Sequence, residues 1–348
     1  MGTHGAAQDI RILCTLGPAS LCPPVIRGLE QRGVDLFRIN LSHTPLDAVE
    51  STIRMVQELS GVPICLDTEG AQVRCGAMAP AVTLTAGADI RLTADDVVGT
   101  ADELTLRPAS VFGTLAAGAS VSIDFDGALL RVTKTQGEAA VAVVVDGGRV
   151  LSNRAVNIDP PPALPPLTDK DRAAIETGIA CGIEHFALSF ASSAADVAYF
   201  RSLLPDGAYV IAKLESRAGV AHQSEILRAA DAVVIDRGDL SREIPLEFVP
   251  FYQKAIVRQA NRWRTPVLVA TNLLESMVTN RRATVAEVND IANTLLDGAH
   301  GLVLAAETAV GVDPLGAVDT VRRSILAFER SSLAALLDEE RPPSAVAG

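Results

Sequence analysis

Through most of the chain, short apolar runs alternate with longer segments whose apolar residues recur at helical spacing. The runs read as strands near Ile10–Cys14, Leu36–Asn40, Pro63–Asp67, Phe186–Phe190, Tyr209–Lys213, Ala232–Asp236, Pro266–Thr271 and Gly301–Leu304. Helical periodicity follows most of them, at Leu46–Leu59, Asp169–Cys181, Ala194–Leu203, Phe248–Arg262, Val285–Leu296 and Pro314–Arg330. Such alternation marks a parallel α/β fold. Eight units, with no Gly-x-Gly-x-x-Gly turn after the first strand, point to a (β/α)8 barrel of the TIM type rather than an open sheet.

The rhythm breaks between about Ala71 and Pro160. Short alternating runs replace it, at Val82–Leu84, Asp89–Leu92, Ser120–Phe125, Leu129–Val132 and Ala139–Val145, with turn signals at Asp126-Gly127 and Asp146-Gly147-Gly148. This pattern predicts a small antiparallel β-barrel domain inserted after the third barrel strand. The expected boundaries are 1–70 and 161–336 for the barrel, 71–160 for the insertion and 337–348 for a disordered tail. The proline-rich Asp159–Pro166 is the expected hinge.

Composition narrows the chemistry. The 348 residues are 48% apolar and 21% charged, as in an ordinary soluble globular protein. No apolar run approaches the roughly 20 residues of a membrane span, and the N-terminus lacks a signal-peptide pattern. A net charge of −12 argues against a nucleic-acid partner, although it leaves local anion sites possible. The five cysteines, Cys14, Cys22, Cys65, Cys75 and Cys181, have no zinc or redox spacing. Cys14 and Cys65 lie in strand runs as small buried hydrophobes, and a reducing cytoplasm is the expected setting.

The candidate chemistry collects at strand C-termini, which open on the face where barrel active sites are built. Lys213, Glu215 and Asp239 stand at the ends of two consecutive strands. Two carboxylates there suit a Mg²⁺ ion that completes its shell with substrate oxygens. The ammonium suits a transferring phosphoryl group or a developing enolate, and a barrel-filling Lys–Glu pair is the alternative. Alternation turns Arg38 and Asn40 inwards; the guanidinium is free to grip a phosphoryl group, or to form an internal salt bridge with Asp67 or Glu215. Asp67 and Thr68, with Asn40 and Ser42, offer hard oxygens for a weak cation site, or Asp67 caps the next turn. Gly238 exposes backbone N–H groups to which a substrate carboxylate can dock, and Thr271 can touch substrate or relay a proton.

Taken together, these residues resemble the pyruvate kinase family. The likeness rests on Cys14-Thr15-Leu16-Gly17-Pro18-Ala19-Ser20, Arg38–His43, Leu66-Asp67-Thr68, Lys213-Leu214-Glu215, Arg237–Leu240, Ala270–Met277 and Glu307-Thr308-Ala309. It implies that Arg38 and Lys213 hold the phosphoryl group, and that Glu215 and Asp239 bind Mg²⁺ or Mn²⁺. It further implies a K⁺ site at Asn40, Ser42, Asp67 and Thr68, substrate contact at Gly238, Asp239 and Thr271, and ADP or ATP contact at His43, Arg74, Asp126 and Arg154. The inserted domain would close as a lid that excludes water.

Several positions depart from that family pattern. Glu69 stands for a lysine, Gln72 for a glutamate, and Asp236 for a small residue. Ala305-Ala306 replace Ser-Gly, Phe125 replaces an aspartate, and Ser241-Arg242 replace a glycine and an apolar residue. Family members carry a further C-terminal domain beyond the point where this chain ends, so family-type effector control is not expected, while a homodimer through barrel helices is. The implied activity is Mg²⁺-dependent phosphoryl transfer between ADP/ATP and a small carboxylate such as phosphoenolpyruvate or pyruvate. The alternatives are another 2-oxo or 2-hydroxy acid, a metal-dependent pyruvate-enolate lyase or aldolase, and a non-catalytic nucleotide or acid sensor.

Overall fold

The computed structural model describes residues 10–331 apart from 71, 81, 125, 126 and 163. The expected tail at 337–348, together with Phe125 and Asp126, lies outside the described residues. The chain divides into two compact units, residues 1–70 with 166–348, and residues 71–165.

In the first unit, eight parallel strands close into a barrel. They are β1 (Arg11–Thr15), β2 (Leu36–Asn40), β3 (Ile64–Asp67), β4 (His185–Leu188), β5 (Tyr209–Leu214), β6 (Ala232–Asp236), β7 (Val267–Ala270) and β8 (Gly301–Leu304). Pairing follows chain order around the ring, and β8 closes on β1 with Arg11 opposite Gly301. Successive strand residues point to opposite faces. The outward set, including Ile12, Phe37, Ile39, Leu66, Phe186, Val210 and Ile235, packs with the surrounding helices into the main core. The inward set, including Leu13, Leu36, Cys65, Ala187, Ile211, Val234, Leu268 and Val303, plugs the barrel. Two residues further along, the same inward row reaches Thr15, Arg38, Asp67, Ser189, Lys213 and Asp236. A ring of charge therefore sits on an apolar plug.

Helix starts are fixed by local hydrogen bonds. Thr168 and Asp171 form a reciprocal cap for the helix Asp169–Ala180, and Thr284 and Glu287 do the same for Val285–Leu296. The helix Pro23–Gln31 is an addition to the expected set; its Pro pair is a start signal rather than a break. β2, β6 and β8 have the expected bounds. β4 and β7 end earlier than expected, because Phe190 (φ 53°) and Thr271 (φ 72°) have left-handed backbone that cannot continue a strand.

The second unit is a nearly closed seven-stranded sheet. Its order is Val156–Asp159, Ser120–Ile123, Ala128–Gln136, Ala139–Asp146, Asp89–Thr93, Glu103–Arg107, Arg74–Cys75. An isolated bridge from Arg74 to Ala155 brings one edge back towards the other. Its own core contains Ile90, Leu92, Leu104, Leu106, Val121, Leu130 and Ala142. Neighbours run antiparallel except Asp89–Thr93 beside Glu103–Arg107, which are parallel. Residues 94–102 carry the chain back to the starting end, so this pair departs from the wholly antiparallel expectation.

Candidate active site

The inward row ends in a buried charge network built from β1 to β6. Arg38 donates through Nε to Asp67 Oδ2 at 2.6 Å and through Nη1 to Thr15 Oγ1 at 3.0 Å, while Nη2 touches the same Asp67 oxygen. The internal pair expected of Arg38 is with Asp67 rather than Glu215. Lys213 Nζ lies 3.0 Å from Glu215 Oε2, 3.4 Å from Asp67 Oδ2 and 3.6 Å from Asp236 Oδ2, and it donates to Ser189 Oγ at 3.2 Å. Burial works against both cations, but the surrounding carboxylates, Asp67 foremost, more than restore their charge. Both stay protonated at any ordinary pH.

Glu215 and Asp67 are fully buried. Glu215 Oε1 accepts the Phe190 N–H at 2.7 Å, which the left-handed turn at Phe190 aims inwards. Its Oε2 receives no hydrogen bond and has Lys213 as its ion partner. Burial, with Asp236, Asp239 and Asp67 adding repulsion and Lys213 opposing, pushes the Glu215 carboxyl up to about 8. Asp236 behaves oppositely. Burial alone would raise it, yet Lys213, Arg38, the Thr271 hydroxyl and the Gly238 N–H hold it below the usual carboxylate range. Its Oδ1 accepts from Thr271 Oγ1 at 2.7 Å and from Gly238 N at 3.2 Å. A Cβ on Gly238 would come within 2.8 Å of Thr271 Cγ2, so only glycine permits this approach. Asp239, half-buried and raised by burial and by Asp236, accepts from Arg242 at 2.9 Å.

Glu215, Asp236 and Asp239 each offer one oxygen, and these atoms lie within 4.8 Å of one another. Opposite oxygens around Mg²⁺ or Ca²⁺ are separated by roughly 4–5 Å, so the three fit a single hard cation. The buried Glu215 Oε2 without a hydrogen bond is the kind of atom such an ion satisfies.

The expected weak-cation set sits at the paired ends of β2 and β3, with Asn40 opposite Asp67. Two of its oxygens already have donors: Asn40 Oδ1 accepts from Ser42 N at 2.9 Å, and Thr68 Oγ1 from Ser189 N at 2.9 Å. Glu69 is neutralised by Lys170, whose Nζ lies 3.0 Å from Glu69 Oε2. His43 is exposed on the loop after β2. In the second unit Arg74 donates to Gln72 Oε1 at 2.9 Å and to the Asn153 carbonyl at 3.1 Å, next to Arg154, which pairs with Asp124 at 3.3 Å. Asp126 lies outside the described residues.

Three contributors were not among the expected site residues. Asp236 follows Val234 in the inward row, so alternation alone could have found it. Ser189, whose Oγ lies 2.6 Å from Thr68 O and 3.3 Å from Asp67 Oδ1, gives no signal beyond its place after β4. Arg242 sits three residues after Asp239 on one helix, a spacing that permits their contact.

The family model for the pyruvate kinase barrel domain matches residues 7–318. The chain belongs to the pyruvate kinase family. It is 36% identical over 338 residues to pyruvate kinase of Mycobacterium tuberculosis (strain ATCC 25618 / H37Rv), a match covering 93% of this chain and 71% of that protein. Against pyruvate kinase of Methylorubrum extorquens the identity is 35% over 336 residues, covering 94% and 70%. Against that of Geobacillus stearothermophilus it is 36% over 339 residues, covering 93% and 57%. With that family, the chain is a phosphotransferase. Glu307 and Thr308, after β8, have structural work. Glu307 accepts the Leu274 and Ala305 N–H groups at 3.0 and 2.8 Å, and Thr308 Oγ1 donates to the Thr15 carbonyl at 2.8 Å. Among the described residues, no helix is long and apolar enough to cross a membrane.

Proposed function

We propose that this barrel moves a phosphoryl group between ADP/ATP and a small carboxylate such as phosphoenolpyruvate or pyruvate, with Mg²⁺ or Mn²⁺ held by Glu215 and Asp239. The observation that carries the reading is the Lys213 ammonium. It is buried, charged and within 3.6 Å of three carboxylates, at the open end of a barrel whose family is one of phosphotransferases.

When bound, the divalent cation supplies positive charge to the oxygens of the reacting phosphoryl group and acid. Lys213 and Arg38 orient the phosphoryl oxygens, and Lys213 neutralises enolate charge as it develops. Ser189 and Asp67 hold the Lys213 head in place. Thr271 faces the acid, Asn40, Ser42, Asp67 and Thr68 form the K⁺ set, and His43, Arg74 and Arg154, with Asp126, contact the nucleotide. The test is ATP formation from ADP and phosphoenolpyruvate with Mg²⁺, in the presence and absence of K⁺. Pyruvate and ATP appearing in equal amounts support the proposal; no turnover with either metal overturns phosphoenolpyruvate as the donor.

A second reading, the same machinery specialised for another 2-oxo or 2-hydroxy acid, is favoured by one observation. The Gly238 N–H and the Thr271 hydroxyl, donors suited to a substrate carboxylate, are both engaged by Asp236 Oδ1. Phosphorylation of another such acid by ATP, with phosphoenolpyruvate inert, selects this reading.

A further inference from the structure

We infer that Asp236 is a third carboxylate ligand of the divalent cation. The inference rests on the reading of Glu215 and Asp239 as metal carboxylates and extends it.

The first support is orientation. Asp236 is only 6% exposed and points inwards with Val234 and Ala232. Its Oδ1 is held by Thr271 and Gly238, which leaves Oδ2 turned to the shared space, 3.6 Å from Lys213 Nζ. Ligating carboxylates are commonly fixed in this way by hydrogen bonds from the outer shell.

The second support is charge. Asp67, Glu215, Asp236 and Asp239 face the buried Arg38 and Lys213, with Arg242 reaching Asp239 from a half-exposed position. Each cation has a closer carboxylate than Asp236: Arg38 has Asp67, Lys213 has Glu215, and Arg242 has Asp239. Ionising all four carboxylates together leaves more negative than positive charge in the group, which is costly in a buried site unless a further cation enters. Glu215, one of the three residues that a single ion can bridge, carries the buried oxygen without a hydrogen bond, Oε2, whose ion partner is Lys213. Two carboxylates leave much of a Mg²⁺ shell to water and substrate oxygens; a third adds a protein ligand and offsets the sharing of Asp239 with Arg242.

The experiment is Mn²⁺ binding to the full chain with no nucleotide or acid present, read from the electron paramagnetic resonance of free Mn²⁺. The proteins are the wild type, Asp236→Asn, Asp236→Ala, Glu215→Gln and Asp239→Asn, each checked for folding by circular dichroism. Asp236→Asn keeps an acceptor for Gly238 and Thr271 and loses the charge, so it decides the question if the alanine variant does not fold. The expected result is a loss of Mn²⁺ affinity of about tenfold or more in both Asp236 variants. Wild-type affinity in both, with binding lost in Glu215→Gln and Asp239→Asn, overturns the inference and leaves the metal reading standing. Wild-type affinity in Glu215→Gln and Asp239→Asn as well overturns that reading, and the inference with it.

Discussion

At the residue scale, Lys213 faces three carboxylates in the barrel mouth. Replacing it by Met would keep much of its length and remove the cation from Glu215, Asp67 and Asp236, two of which are fully buried. Breaking a buried pair by removing one partner costs about 3–5 kcal/mol, because the abandoned charge stays in a poor solvent. Losing a donor to a developing oxyanion costs a further factor of about 10²–10³ in rate. Lys213→Met should therefore lower both the urea midpoint and kcat, whereas a lysine that only filled the barrel would change the first alone. The sequence made Lys213, Glu215 and Asp239 visible because charge after a short apolar run on a strand is conspicuous. Asp236 is visible too, as a departure from the family pattern, but its sequence position alone does not join it to the carboxylate group. The partition of Arg38 between substrate and Asp67 was not legible, since side-chain pairing across β2 and β3 depends on register that no single run encodes.

At the element scale, the barrel strands and most helices were legible because each carries a complete apolar period. Glu103–Arg107 was missed: Leu104 and Leu106 supply only a short inward pair between charged ends. The left-handed turns at Phe190 and Thr271 were also missed, since neither residue type advertises a positive φ. The segment after β3 illustrates how one carboxylate joins two elements. Asp171, fully buried, accepts from Glu69 N at 2.6 Å, Gly70 N at 3.1 Å, Thr168 N at 3.0 Å and Thr168 Oγ1 at 2.8 Å. It thus caps its own helix and straps the chain just past Asp67-Thr68. Hydrogen bonds to a charged group contribute about 1.5–3 kcal/mol each but do not add fully. Asp171→Ala should cost about 3 kcal/mol or more in urea unfolding, against about 1 kcal/mol for Thr168→Ala, which removes the cap alone. Equal losses in the two variants would mean that the strap on residues 69–70 contributes nothing.

At the scale of the whole molecule, the thiols report on each unit separately. Cys14 and Cys65 lie in the barrel and Cys75 in the inserted sheet, all buried; Cys22 and Cys181 are partly exposed, and all five are free. Burial pushes the Cys14, Cys65 and Cys75 thiols up, with Glu307 and Asp67 adding repulsion at the first two. The thiolate is the reactive form, so depth and protonation act in the same direction. In the native chain at about pH 8, only Cys22 and Cys181 should react quickly with an aromatic disulfide reagent. All five should react in concentrated guanidinium chloride. In mild denaturant, mass mapping of the labelled residue separates the openings: labelling at Cys75 follows the inserted sheet, and labelling at Cys14 and Cys65 follows the barrel. Rapid native labelling of Cys14 or Cys65 would contradict the packing described for β1 and β3, whose outward and inward rows place these two sulfurs on opposite sides of the same wall.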